Sequence, residues 1–151
     1  MGVGGLEVVE RRLRRWREVM ERTREFARSL EGPVSAILVG SYARGDFSAW
    51  SDVDILLIGK FEGRPPERLE RVRAPPGFEV IPLTPEEAVR AAEKGNPLLV
   101  EAVERGVVLR DDLGVVGALK CALERGRARR GSGRPSLGQG KLEFGEKEGG
   151  G

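Results

Sequence analysis

The chain has 151 residues but no histidine, one cysteine, two side-chain amides (Asn96 and Gln139) and only 5% aromatics. Each shortage removes a class of chemistry. Without an imidazole there is no Ser-His-Asp or Cys-His relay, a structural zinc site takes about four Cys and His ligands, and a disulfide takes two cysteines. Cys121, on an expected helix, is read as a small buried hydrophobe. No apolar run approaches the roughly 20 residues that span a bilayer, and the first residues lack the basic-then-apolar layout of a secretory signal. A cytoplasmic protein with no membrane partner is therefore expected. Charges nearly cancel, 26 Lys and Arg against 24 Asp and Glu for a net +2, which leaves no basic stripe for nucleic acid. What remains for chemistry is carboxylates, Lys and Arg, hydroxyls and backbone amides, a set that suits hard cations such as Mg²⁺ and phosphate ligands.

The length, with 22 glycines and 9 prolines, points to one loop-rich α/β or α+β domain. Its expected extent is residues 1–125, with a disordered glycine-rich tail over 126–151. Apolar residues at Leu6, Val9, Leu13, Trp16, Met20, Ala27 and Leu30 follow one helix face with Thr23 as the only gap, predicting a helix over 6–31. That face is read as packing on the chain's own sheet, a partner-binding face being the alternative. In the motif-bearing core, 34–83, the uncharged run Val34–Val39 reads as a buried strand, 52–58 as a second and Phe78–Leu83 as a third. Gly59–Gly77, with four prolines, reads as a loop with at most a short helix. In the last segment, 84–125, Thr84-Pro-Glu-Glu87 combines an N-cap, a proline at the first helical position and a capping-box Glu. Asn96-Pro97 opens another helix ending at Gly106, Val107–Leu109 is a short strand, and Asp111 or Asp112 caps a last helix running to about Arg125. Residues 120–135 carry six basic groups against Glu124 alone, read as a solvated stub.

The informative stretch runs from Val39 to Ile55. In Asp52-Val-Asp54 the period of a strand puts both carboxylates on one face. Such like charges repel unless a cation or basic group neutralises them. Taken alone, one Asp serves as well for a turn cap and the other for an exposed strand end. Upstream, a strand running into Gly40-Ser41 and a helical turn presents amides and a hydroxyl where phosphate is favoured. Together they suit a nucleoside triphosphate with Mg²⁺.

Gly40-Ser41, ten residues, then Asp52-x-Asp54 between apolar strands resembles the signature of the DNA polymerase β-like nucleotidyltransferase superfamily. The phrases Gly40-Ser-Tyr-Ala-Arg-Gly45 and Ser51-Asp-Val-Asp54 are similar to those of its small stand-alone members, the minimal nucleotidyltransferases. The resemblance covers about residues 34–112 and implies a small mixed β-sheet with helices packed on it. It also implies a third carboxylate on a later strand, for which Glu79 is the match, a Glu where relatives often have Asp. Asp52, Asp54 and Glu79 would then be catalytic and hold Mg²⁺, with two ions and ATP as substrate. Gly40 and Ser41 would bind the nucleotide's phosphates, with Arg44 and Lys60 as further candidates.

The resemblance further implies transfer of a nucleoside monophosphate, AMP from ATP, to a hydroxyl on a helical partner of the HEPN type, the chain acting as the antitoxin of a toxin-antitoxin pair. The alternative is a non-catalytic antitoxin of the same fold. Transfer to RNA or to an aminoglycoside is disfavoured, because larger relatives add a domain to hold such substrates. Whether the chain oligomerises is open.

Overall fold

Two uncharged runs separated by a polar loop pair with each other. Val34–Val39 forms β1 and Val53–Gly59 forms β2, antiparallel, with Val34 opposite Gly59 and Val39 opposite Asp54. These strands come from a computed structural model that describes residues 2–132. Phe78–Leu83 (β3) lies parallel to β2, and Val107–Asp111 (β4) lies antiparallel to β1, giving a mixed sheet in the order β3-β2-β1-β4. Every residue of β1 is buried, as expected of a strand covered on both faces.

One face carries Ala36, Leu38, Val53, Ile55 and Leu57 and is covered by helix α1, Gly2–Ser29. Only the second half of α1 packs there, through Val19, Met20, Phe26 and Ala27. Thr23, the gap in the apolar spacing, is fully buried and its hydroxyl donates to the Val19 carbonyl at 2.6 Å. Leu6, Val9 and Leu13 stay exposed, so the apolar stripe extends beyond the sheet that was expected to cover it.

The other face carries Ile37, Val39, Leu56 and Ile58 and is covered by α4 (Pro85–Glu93), α5 (Pro97–Arg105) and α6 (Val115–Ser132), which follow the one-turn helices α2 (Ser41–Arg44) and α3 (Pro65–Arg68). The Thr84–Glu87 capping box and the Asn96 cap form as their sequences dictate. Asp111 rather than Asp112 caps α6: its Oδ1 accepts from Val115 N at 2.9 Å and from the buried Ser35 hydroxyl at 2.6 Å.

Three expectations change on α6. The helix runs to Ser132, past its expected end near Arg125. Gly126, expected to begin the disordered tail, is buried where α6 crosses α4, and a Cβ there would collide with the Glu93 carbonyl. The basic stub is not simply solvated: Arg125 and Arg129 pair with Glu93 and Arg127 with Glu104. Cys121 is exposed, because the buried positions Leu119, Ala122, Leu123 and Gly126 leave it on the outward side. The remainder of the expected tail, 133–151, lies outside the described residues. Among those described, no helix is long and apolar enough to cross a membrane.

Candidate functional site

β1 leaves the sheet at Gly40 and β2 enters it just after Asp52, so the Val39–Asp54 pairing sets the glycine-serine turn beside the carboxylate pair. Gly40 has φ 80° and ψ −159°, a region that essentially only glycine occupies. A Cβ at this position would run into the Asp54 carboxylate, so the close approach also requires glycine. The turn closes as Ala43 N and Arg44 N donate to the Gly40 carbonyl at 3.1 and 3.0 Å, and Gly45 N to that of Ser41 at 2.8 Å. With four residues, α2 has little macrodipole. Attraction for an anion rests instead on the amides of Ser41 and Tyr42, which have no carbonyl within their own turn, on the Ser41 hydroxyl and on Arg44. The Ser41 hydroxyl bonds no other described residue.

The loop is braced from behind by α1. Tyr42 is buried and stacked on Phe47 with ring centroids 4.5 Å apart. Trp16 Nε1 donates to the Tyr42 carbonyl at 3.3 Å and Arg15 Nε to its hydroxyl at 3.2 Å. Arg12 donates to the carbonyls of Phe47 and Gly45 at 2.8 and 2.9 Å and lies over the Phe47 ring. Arginines outside the apolar stripe of α1 thus hold the loop in place.

Parallel pairing sets Glu79 beside Asp54, on the sheet face shared with Leu56 and Ile81. Burial raises the Asp54 pKa above the ordinary carboxylate value, the charges of Glu79, Asp52 and Glu101 raise it further, and Arg44 opposes them. Among the described residues, no three acidic side chains are placed as a ready metal-holding group. The donors nonetheless suit a hard divalent cation, since all are carboxylate oxygens and the crowding around Asp54 is what a cation relieves.

A cavity of about 380 Å³ lies against this end of the sheet, lined by Gly40, Ser41, Arg44, Ser51, Asp52, Asp54 and Glu101 over an apolar floor of Val39, Ile81 and Leu98. Its volume is within the range of small-ligand sites. Glu79 flanks the cavity strand without lining it. Lys60 is not brought in. It follows Gly59 at the opposite end of β2, and six residues of extended chain hold it about 20 Å from Asp54.

Glu101, on α5, is the site residue that sequence reasoning missed. Its Oε2 accepts from Gly40 N at 2.6 Å and from Arg44 Nη1 at 3.0 Å, while Arg44 Nε also donates to Asp46 at 3.2 Å. A sequence signal exists: Glu101 lies one turn after Leu98 and directly before the buried Ala102, on the border of the apolar face.

A family model for the nucleotidyltransferase domain matches residues 20–128. None of the curated proteins matches. Among solved structures, a protein assigned as a nucleotidyltransferase from Sulfolobus solfataricus is 23% identical with a TM-score of 0.42, the overlap covering 66% of this chain and 83% of that one. A toxin-antitoxin structure with AMP-PNP is 17% identical with a TM-score of 0.49, covering 74% of this chain and 92% of its own. Neither overlap is close enough to carry a substrate or a partner across. The family match spans both the Gly40-Ser41 turn and the Asp52-Asp54 strand: the chain belongs to the nucleotidyltransferase domain family.

Proposed function

We propose that the protein is a metal-dependent nucleotidyltransferase that moves AMP from ATP to a hydroxyl on a HEPN-type helical partner, acting as the antitoxin of a toxin-antitoxin pair. One observation carries the enzymatic part of this reading: the Val39–Asp54 register puts the Gly40-Ser41 turn and the Asp52-Asp54 pair around one cavity. The resemblance of the motif to the minimal nucleotidyltransferases supplies the partner and the nucleotide.

Asp52, Asp54 and Glu79 would hold Mg²⁺. When bound, the metal supplies charge neutralisation for the triphosphate and lowers the pKa of the acceptor hydroxyl. The Ser41 hydroxyl, the first amides of α2 and Arg44 hold the β- and γ-phosphates. This leaves the α-phosphorus facing the carboxylates. The acceptor oxygen bonds to the α-phosphorus as the bond to the bridging oxygen breaks, and pyrophosphate leaves from the side held by the turn. Glu79, at the exposed edge, accepts the hydroxyl proton.

The test uses the full chain, its helical partner, α-labelled ATP and Mg²⁺. Label should pass to the partner, and Asp52→Ala with Asp54→Ala should lower the rate by on the order of a thousandfold or more. Equal labelling by this double variant sinks the proposal. The non-catalytic antitoxin draws on a specific observation, that Glu79 lies outside the cavity lining. It predicts no metal-dependent ATP binding in calorimetry, whereas the enzyme binds ATP only with Mg²⁺ present.

A further inference from the structure

Beside the Ser41 and Tyr42 amides and the Ser41 hydroxyl, two further groups at the turn face the cavity's anion position, the Gly40 amide and Arg44, and both are already taken by an anion from the chain itself. One oxygen of Glu101 receives the Gly40 amide at 2.6 Å and Arg44 Nη1 at 3.0 Å. We infer that the Glu101 carboxylate holds the place of a ligand phosphate and must be displaced from Gly40 and Arg44 when a polyphosphate binds. The inference deepens the nucleotidyltransferase reading and rests on it for the identity of the ligand as a nucleoside triphosphate, but not for the anion chemistry.

Donor supply and charge both require the displacement. Gly40 has a single N–H, and a hydrogen bond that short to a carboxylate leaves it unavailable to a second acceptor. A phosphate oxygen drawn to Arg44 from inside the cavity would meet Glu101 Oε2 at little more than contact distance. Two anions cannot share that position while Asp52 and Asp54 line the same cavity. The Glu101 side chain is about a quarter exposed and projects from a helix through three rotatable bonds, so it can swing aside without moving the sheet. In the free protein the same contact has a use. It keeps Arg44 engaged and the Gly40 amide satisfied beside a carboxylate cluster that would otherwise draw the guanidinium across the cavity.

Place-holding and support of the loop predict opposite signs. If Glu101 competes with the ligand, removing its charge tightens binding; if it only shapes the turn, removal weakens it. The experiment is calorimetry on the full chain, wild type, Glu101→Gln and Glu101→Ala, titrated with ATP plus Mg²⁺ and separately with inorganic tripolyphosphate. Glu101→Gln keeps an acceptor for the Gly40 amide and is the conservative variant should Glu101→Ala unfold. Both variants should lower Kd by on the order of tenfold, the scale of one charge-assisted hydrogen bond. The cost of a further Arg44→Gln change should be greater in the Glu101→Gln background than in wild type, since there a neutral amide competes less with the ligand for Arg44, which keeps its bond to Asp46 in both. An unchanged or raised Kd for ATP in Glu101→Gln overturns the inference while leaving nucleotide binding intact. Tighter tripolyphosphate binding with no transfer to any partner upholds the inference and counts against the transferase. Failure of every form to bind either ligand overturns both.

Discussion

Carboxylates are treated in two ways in this molecule. On the α4 side Glu87 is held by both terminal nitrogens of Arg68 at 2.6 and 2.9 Å and by the Thr84 amide, which lowers its pKa to about 2. Glu93 is likewise lowered by Arg125. At the cavity end of β2, Asp54 is partly buried with Asp52, Glu79 and Glu101 as electrostatic neighbours, and its pKa moves upward. Among the described residues only Arg44 opposes that, and Arg44 is itself shared between Glu101 and Asp46. The same chain that pairs its structural carboxylates leaves these crowded, an arrangement that costs the unliganded fold and that the proposed metal and nucleotide binding would relieve.

The largest effect on stability is expected where the two strands meet. Gly40→Ala must place a Cβ in a glycine-only conformation and against the Asp54 carboxylate, at a cost of about 1–3 kcal/mol in stability. It also pushes Asp54 off its position, and a displacement of about 1 Å is enough for a hundredfold loss of transfer. Denaturant unfolding and the labelling assay check the two parts. A fully active, fully stable Gly40→Ala would mean that neither the backbone conformation nor the approach of Asp54 requires a glycine.

The next prediction opposes the two regions directly. A raised pKa means that ionised Asp54 is disfavoured by the fold, so at neutral pH without metal Asp54→Asn should raise the melting temperature by a few degrees while abolishing transfer. Glu87→Gln should lower it, since the depressed pKa of Glu87 contributes stability above its unfolded value of about 4.5. That contribution is lost as pH falls from about 4.5 toward 2. The gap between wild type and Glu87→Gln should therefore close over this window. Thermal scans of both variants in a chelator across pH provide the measurement, and the same sign for both at neutral pH would break the contrast.

Much of the fold was legible because punctuation and periodicity coincide. β1 is a run of uncharged residues closed by Gly40, and α5 is bounded by Asn96-Pro97 and Gly106, so each has the extent expected. The turn and the carboxylate pair were legible because they are local in sequence. Glu101 was not, since the fold carries it 61 residues to reach Gly40. Lys60 failed for the converse reason: nearness along an extended strand is distance in space. The bracing of the loop by Arg12, Arg15 and Trp16 was hidden because helical periodicity reports burial and is silent on which long side chains reach a neighbouring loop.

The smallest effect separates pairing from exposure within the paired region. Arg127 meets Glu104 at 2.7 Å, a shorter contact than some in the site, yet each side chain is about half exposed. Water and salt screen such a pair, and fixing two long side chains costs entropy, so Arg127→Ala should change stability by less than about 0.5 kcal/mol. If α6 beyond Arg125 depended on its ion pairs, this change and high salt would both fray its end. The close approach at Gly126, where α6 lies against the Glu93 carbonyl, instead makes the last turns part of the core contact. Hydrogen exchange at Gly126 and Arg127 should then be the same in wild type and Arg127→Ala, at low and at high salt. Faster exchange in the variant would show that charge, not packing, carries the helix past the glycine.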